Sequence, residues 1–367
     1  MTENNDRSDA GQAARVVLAL PPSETGDSPA RVVLEVVHRS GDLDAEPVDG
    51  KSDGTLHQQL VAGTAGAGTS PHLAALQRIA DENGGNRASP SPGYDASVEY
   101  VVEVLTAAGY DVSTPTYPLP KRRRREGEKW CRQVVAQTRT GDPGRVVLIG
   151  AHLDSVRKGP GINDNGSGVS ALLEIATQLG GSPLVRNAVR FGFWGSEEDD
   201  LKGSIHYAKT LTRRDRDDIL AYVNVDMVAS PNAGYFVLGG EGKSRKKFGP
   251  PGSGQVVLVL VEQLAAAGVV ARTVPLDDES DYAPFVEAGI PTAGVMAGDT
   301  LKKTEKQAQR WGGKAGVKFD PNYHTPRDRL EALDRTVMQR FTSALAGTVA
   351  HFAMSPDGRP SSGGSIG

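Results

Sequence analysis

The chain has 367 residues, 38% of them hydrophobic, and a mean hydropathy of −0.36. That suffices for one large α/β domain or two smaller ones with a buried core, while no apolar run approaches the roughly 18 residues of a membrane helix. The net charge of −4 argues neither for nor against nucleic acid, and the single cysteine, Cys131, excludes an internal disulfide and a thiolate zinc site.

The first segment, MTENNDRSDAGQAARVVLALPPSETG, is polar and acidic before a short apolar patch. It lacks the basic start, the apolar core of about 7–15 residues and the small-residue cleavage site of a secretory signal, so a cytoplasmic location is expected. ARVVL occurs twice, from Ala14 and from Ala30, each copy long enough for one strand. Residues 1–68 therefore read as an appended β-hairpin or small β-unit, closed by AGTAGAGTS as a flexible linker. A partly disordered tail is the competing expectation.

From Pro71 the signals alternate. PHLAALQRIADENG has helical spacing, with Leu73, Leu76 and Ile79 on one side and Gly84 and Gly85 as stops. YDASVEYVVEVLTAAGY is a second helix, with Val98, Val101, Val102 and Leu105 inward. Strands are expected at RVVLIGAHL, AVRFGFWG, AYVNVDMV, GYFVL and TAGVMAG. Helices are expected at SGVSALLEIATQLG, LKGSIHYAKTL, SGQVVLVLVEQLAAAG and YAPFVEAG. A last helix, RTVMQRFTSALAGTVAHFA, closes a domain over 69–355, before a flexible tail at 356–367. This alternation predicts the α/β class, with a largely parallel, twisted central sheet and helices on both faces. Ligands of such sheets sit beyond the carboxyl ends of the strands, at a topological switch point.

That rule singles out a set of side chains. His152 and Asp154 end the RVVLIG strand, and Asp164 lies in the loop GPGINDNGSG. Glu197 and Glu198 follow VRFGFWGS, Asp226 ends AYVNV, and His324 sits in FDPNYHTP. One acid at a strand end is ordinarily a helix cap. Five segments delivering His, Asp or Glu to one edge are not explained that way, because carboxylates crowded in a crevice raise each other's pKa unless a cation is present. Two imidazoles and three carboxylates suit two zinc ions. Asp164 is the bridge, on its glycine-rich loop; His152 and Asp226 complete one ion's shell, Glu198 and His324 the other's. Neighbouring residues at a strand end point different ways, so Glu197 stays free to take a proton from a bridging water. A solvated acidic run into Asp199 and Asp200 is the plainer alternative, opposed by Trp194 and Gly195 at a strand exit. Asp154 is spaced to orient the His152 imidazole.

The strings GAHLDSV, GPGINDNGSG, FGFWGSEE, VNVDMVASPNAGYFV, SDYAPF, KQAQRWGGKAGVKFDPNYH and, upstream, ENGGNRASPSPGYDASVEYV lie between about Pro71 and about Ala353. Together they resemble the M28 family of dinuclear zinc aminopeptidases, and within it the Streptomyces-type leucyl aminopeptidases. The resemblance implies a zinc-peptidase/phosphorylase-like three-layer sandwich and two zinc ions on His152, Asp164, Glu198, Asp226 and His324. It also implies Glu197 as general base and Tyr323 as a partner of the oxyanion. The implied substrate is a peptide with a free N-terminus, whose hydrophobic side chain enters a pocket at Met227 and Met296. Flexible thioethers there suit Leu or Met; two ordinary core methionines are the alternative. The peptide is the only expected partner, bound by a monomer, with no nucleic acid and no membrane.

The chain departs from those relatives at Glu279, where they carry Arg, and at Tyr282, where they carry His. It also lacks their two cysteines in the stretch containing Asn322 and Arg327. Glu279 adds a carboxylate near the cleft that would favour a cationic substrate, and the missing disulfide fits a reducing compartment. Three other functions compete: a glutaminyl cyclase of the same fold with one zinc, a dipeptidase or carboxypeptidase, and a binding module without activity. The complete ligand set opposes the first and the last, and no Arg beside the motifs serves the second, which needs a cation for the substrate carboxylate. KRRRRE, from Lys121, lacks aromatic interleaving and reads as a solvated loop rather than an anion-binding patch.

Overall fold

The computed structural model describes residues 52–119, 130–240, 242 and 244–356, together with strands at 15–19 and 31–35. The basic run from Lys121 and the tail beyond 356 lie outside the described residues. Strands β1 (Arg15–Ala19) and β2 (Arg31–Glu35), one in each ARVVL copy, pair antiparallel with Val17 opposite Val33. They belong to one compact unit, Met1–Gly50, and the rest of the chain, Lys51–Gly367, to another.

The larger unit opens with α1 (Ser52–Gly63), inside the stretch expected as extension and linker. Leu56, Leu60 and Val61 are its only large apolar residues, too few for a periodic signal, yet Leu60 is buried in the main core. AGTAGAGTS forms the end of α1, a turn and the start of α2 (Thr69–Glu82). Helix α3 (Pro92–Ala107) starts where Ser91 accepts the Tyr94 N–H and Pro92 fills the first helical position. The inward residues of α2 and α3 are those expected, except that Val102 is only half-buried.

Strands β3 (Asp111–Ser113), β4 (Thr116–Pro118), β5 (Trp130–Arg132) and β6 (Val134–Gln137) precede the long β7 (Asp142–His152). Then come α4 (Gly166–Leu179), β8 (Asn187–Trp194), α5 (Lys202–Thr210), α6 (Arg213–Asp218), β9 (Ile219–Val225), β10 (Phe236–Leu238) and α7 (Arg245–Phe248). The chain continues through α8 (Ser253–Ala266), β11 (Arg272–Val274), α9 (Ala283–Ala288), β12 (Thr292–Met296), α10 (Glu305–Trp311) and α11 (Arg335–Met354).

Eight strands form one sheet in the order β11-β10-β12-β9-β7-β8-β6-β3. The inner four, β12, β9, β7 and β8, are parallel, as expected. The pairs β10–β12, β8–β6 and β6–β3 are antiparallel. Of the marginal strands β10 was expected in GYFVL, while β3, β6 and β11 were not, because DVS, VVAQ and RTV are too short to carry a period.

Along β7, Val147, Ile149 and Ala151 face a core shared with α2, α3, α4, α8 and α11. Val146 and Leu148 face a second core with Tyr207 of α5 and Phe285 of α9. Burial on both faces is why these strands read as continuous apolar runs. Gly150 and Gly192 clear space for the Trp194 indole: a Cβ on Gly150 would stand 2.5 Å from its Nε1, and one on Gly192 2.2 Å from its Cζ2. Because β8 and β9 flank β7, the connection between them crosses over it, and the switch point lies at the carboxyl ends of these three strands. Among the described residues no helix is long and apolar enough to cross a membrane.

Candidate metal centre and cleft

The switch-point strands deliver the expected side chains directly. His152 is the last residue of β7, a 3-10 turn at Glu197–Asp199 follows β8, and Asp226 follows β9. Asp164 precedes Asn165, whose side chain caps α4 by accepting the Gly168 N–H. His324 comes from the loop ahead of α11. Ser196, Met227 and His324 hold φ angles of 54°, 49° and 57°, left-handed backbone that costs a non-glycine residue energy and clusters at functional sites.

Asp164 joins the two histidines. Its Oδ1 lies 3.2 Å from His152 Nε2, and its Oδ2 lies 3.1 Å from His324 Nε2. Asp226 Oδ1 is 3.5 Å from the same His152 nitrogen, and Glu198 Oε2 is 3.0 Å from the same His324 nitrogen. Two clusters result, His152–Asp164–Asp226 and Asp164–Glu198–His324, each with its candidate ligand atoms within 4.8 Å of one another. Imidazole nitrogen and carboxylate oxygen are donors that suit zinc. Asp226 Oδ1 and Glu198 Oε1 are buried without a hydrogen-bond partner, the condition of atoms whose partner is a cation. The residues present therefore fit a divalent metal.

A supporting frame holds these atoms. Trp194 Nε1–H donates to the Tyr222 hydroxyl, which donates to Asn224 Oδ1, and Asn224 Nδ2 donates to Ser280 Oγ. Ser280 in turn donates to Asp226 Oδ2 at 2.8 Å, so a chain of hydrogen bonds aims the other oxygen at His152. Asp328 accepts the backbone N–H groups of Asn163 and Asp164 at 2.6 and 3.0 Å. Arg87, fully buried, donates to the carbonyls of Leu153, Pro160 and Gly161 and so pins both ends of the loop between His152 and Asp164. Sequence reasoning assigned no role to Arg87, Asn224, Ser280 or Asp328, although each stands in or beside a quoted motif and is itself buried.

Asp154 departs from its expected part. Its main-chain carbonyl, not its carboxylate, holds His152 Nδ1 at 3.1 Å; the carboxylate stays 3.7 Å away and accepts the Glu197 N–H. Tyr323 stacks on His324 with ring centroids 3.7 Å apart. Met227, Met296, Glu279 and Tyr323 line one cavity of about 230 Å³ together with Asp164, Glu197, Asp226 and His324. A second cavity beside Glu198 and His324 is lined by Arg157 and Lys158, so the expectation of no Arg beside the motifs is corrected.

The electrostatics follow from burial and crowding. Burial would lower the His152 pKa, but Glu197 and Asp226 outweigh it and hold the imidazole well above its usual value. His324 is likewise lifted to about 10, against burial, by Asp164 and Glu198. Burial disfavours ionised Asp164, yet its bonds to both histidines keep it below the usual carboxylate range. Burial raises Glu197 well above its usual value, and burial with Asp164 pushes Glu198 to about 7. Without metal the cluster stores protons, which an entering cation displaces.

Fold and site together define a class: α/β sandwiches that gather His and carboxylate ligands for divalent metal at the switch point of a mainly parallel sheet. The chain belongs to peptidase family M28, whose profile matches residues 133–349. It is 42% identical to a probable lipoprotein aminopeptidase, LpqL, of Mycobacterium tuberculosis, over 71% of this chain and 54% of that protein. It is 38% identical to leupeptin-inactivating enzyme 1 of Streptomyces exfoliatus, over 76% of this chain and 60% of that protein. Among solved structures it is similar to a zinc aminopeptidase from Bacillus subtilis, with a TM-score of 0.51 and 25% identity over 63% of this chain and 52% of that one. The chain thus spans just over half the length of the two curated relatives.

Proposed function

We propose that this protein is a dinuclear zinc aminopeptidase that acts on peptides with a free N-terminus and seats the terminal side chain along an apolar wall. The observation that carries the reading is the Asp164 carboxylate, 3.2 and 3.1 Å from two imidazoles and common to both ligand clusters. His152, Asp164 and Asp226 would hold one zinc, and Asp164, Glu198 and His324 the other. Metal held there would supply Lewis-acid chemistry, lowering the pKa of a water and polarising the scissile carbonyl.

The chain's own residues supply the rest. Glu197, whose proton affinity is raised by burial, takes the water's proton and hands it to the leaving amine. Tyr323 keeps its proton, because burial holds its pKa above the usual phenol value, and so donates to the developing oxyanion. Met227, Val295 and Phe319 offer the terminal side chain an apolar wall. The relatives, aminopeptidases among them, support the same reading.

Metal content and turnover test it together. We expect two zinc ions per chain by atomic absorption, chelator-sensitive hydrolysis of leucine p-nitroanilide, and no cleavage of an N-acetylated leucyl peptide. A single ion per chain, with cyclisation of N-terminal glutamine instead of hydrolysis, would replace the proposal with a glutaminyl cyclase.

A further inference from the structure

The cavity that reaches Glu197 and Asp226 has two chemically different ends. Its inner wall is apolar: Met227, Leu238, Val295 and Phe319 are each at most 6% exposed. Its outer lining carries three acids beside exposed Pro275 and Leu301: Asp277 and Glu279 are exposed and Asp299 is half-buried. These three carboxylates converge from two separate loops, one ahead of α9 and one after β12. For two of them the hydrogen-bond partners are neutral: the Tyr282 hydroxyl donates to Asp277, and the Leu301 N–H donates to Asp299 at 3.0 Å. Among the described residues no Lys or Arg lines the cavity. A connecting groove from Glu197 and Glu198, past Leu201 and Ile205, is again lined by acids, Asp200, Asp278 and Glu279, and among the described residues by no Lys or Arg.

A leucine side chain satisfies the apolar wall alone. It leaves like charges facing one another at the mouth: after burial, the largest influences raising the Asp277 pKa are Asp299 and Asp278. A long side chain with a terminal cation satisfies both ends, its methylenes along the wall and its head in the acidic, wetter mouth. Resting on the aminopeptidase reading, we propose that this cavity selects N-terminal Lys and Arg, with Asp277, Glu279 and Asp299 as the groups that recognise the cation.

The test compares kcat/KM of the zinc-loaded protein on aminoacyl-methylcoumarin amides of Arg, Lys, norleucine and Leu. Lysine and norleucine share a stem and differ in the cation. Lys and Arg should exceed norleucine by about tenfold at low ionic strength, the scale expected of several partly desolvated charge contacts. Added salt should shrink that excess, and Glu279→Gln with Asp299→Asn should lower the Arg-to-norleucine ratio by a similar factor. Norleucine faster than Lys and Arg at low salt overturns the proposal, and so does a ratio indifferent to salt in the unaltered protein, whether or not the double variant folds. If norleucine and Leu are not cleaved either, the proposal falls together with the aminopeptidase reading; if they are cleaved and Arg and Lys are not, it falls alone.

Discussion

The carboxylate of Asp154 accepts the backbone N–H of Glu197 at 3.1 Å, tying the end of β7 to the turn that follows β8. The same oxygen stands 3.7 Å from His152 Nδ1, whose hydrogen bond goes to the Asp154 carbonyl, so one residue steadies both an imidazole and the proposed base. Asp154→Ala should lower zinc affinity or kcat/KM by about 10–100-fold, the usual effect of removing such support. Asp154→Asn keeps an acceptor for the Glu197 N–H and should lose less. Chelator competition and steady-state kinetics check this; equal losses in both variants would show that charge, not the hydrogen bond, matters.

Glu197 Oε2 is 3.9 Å from His152 Nε2, beside both clusters but in neither. Glu197→Gln should therefore keep its zinc and lose about 10²–10⁴-fold in kcat, the range for a lost general base. His152→Ala should instead lose zinc as well as turnover. Atomic absorption of the two variants separates the roles, and native-rate hydrolysis by Glu197→Gln would remove it as the base.

Arg87 satisfies three buried carbonyls with one guanidinium. Arg87→Met leaves them without donors and leaves nearby acids without their cation, a change expected to cost about 3–5 kcal/mol of stability. Arg87→Lys keeps the charge but cannot span three acceptors, and should fall between. Urea unfolding midpoints measure both, and a Met variant as stable as the parent would contradict the assignment.

Burial is the first cause that pushes Glu198 and Asp281 up to about 7 and Asp328 up to about 8. A carboxyl whose pKa rises on folding favours the folded state while protonated and opposes it once ionised. His152 and His324, also raised, act in the same direction, since their contribution fades as pH climbs through their folded values. Asp164, held low, matters only at acid pH. The metal-free protein should thus lose thermal stability from about pH 5 to about pH 8, and zinc should remove most of that loss. Melting curves at several pH values, with and without chelator, check it; a metal-free Tm that rises across this window would contradict it.

Much of the site was legible because a parallel sheet sends every carboxyl end to one edge. Chain order alone therefore placed His152, Glu198 and Asp226 on a common rim, whichever strands turned out to be neighbours. The frame around them was not legible. Arg87 meets Gly161 across 74 positions, and Asp328 meets Asn163 across 165, separations about which no local period carries information.

By itself, the amino-acid order determined the alternation of strands and helices, the exclusion of thiolate ligands and the residue types available to a cation. Those follow from side-chain chemistry and from periods of two and 3.6 residues. Tertiary structure alone decided that Asp164 faces a histidine with each oxygen, that the Asp154 carboxylate serves Glu197, and that Asp277, Glu279 and Asp299 meet at one mouth. Each of these is a distance set by strand register and loop closure, and such distances exist only once remote segments have packed together.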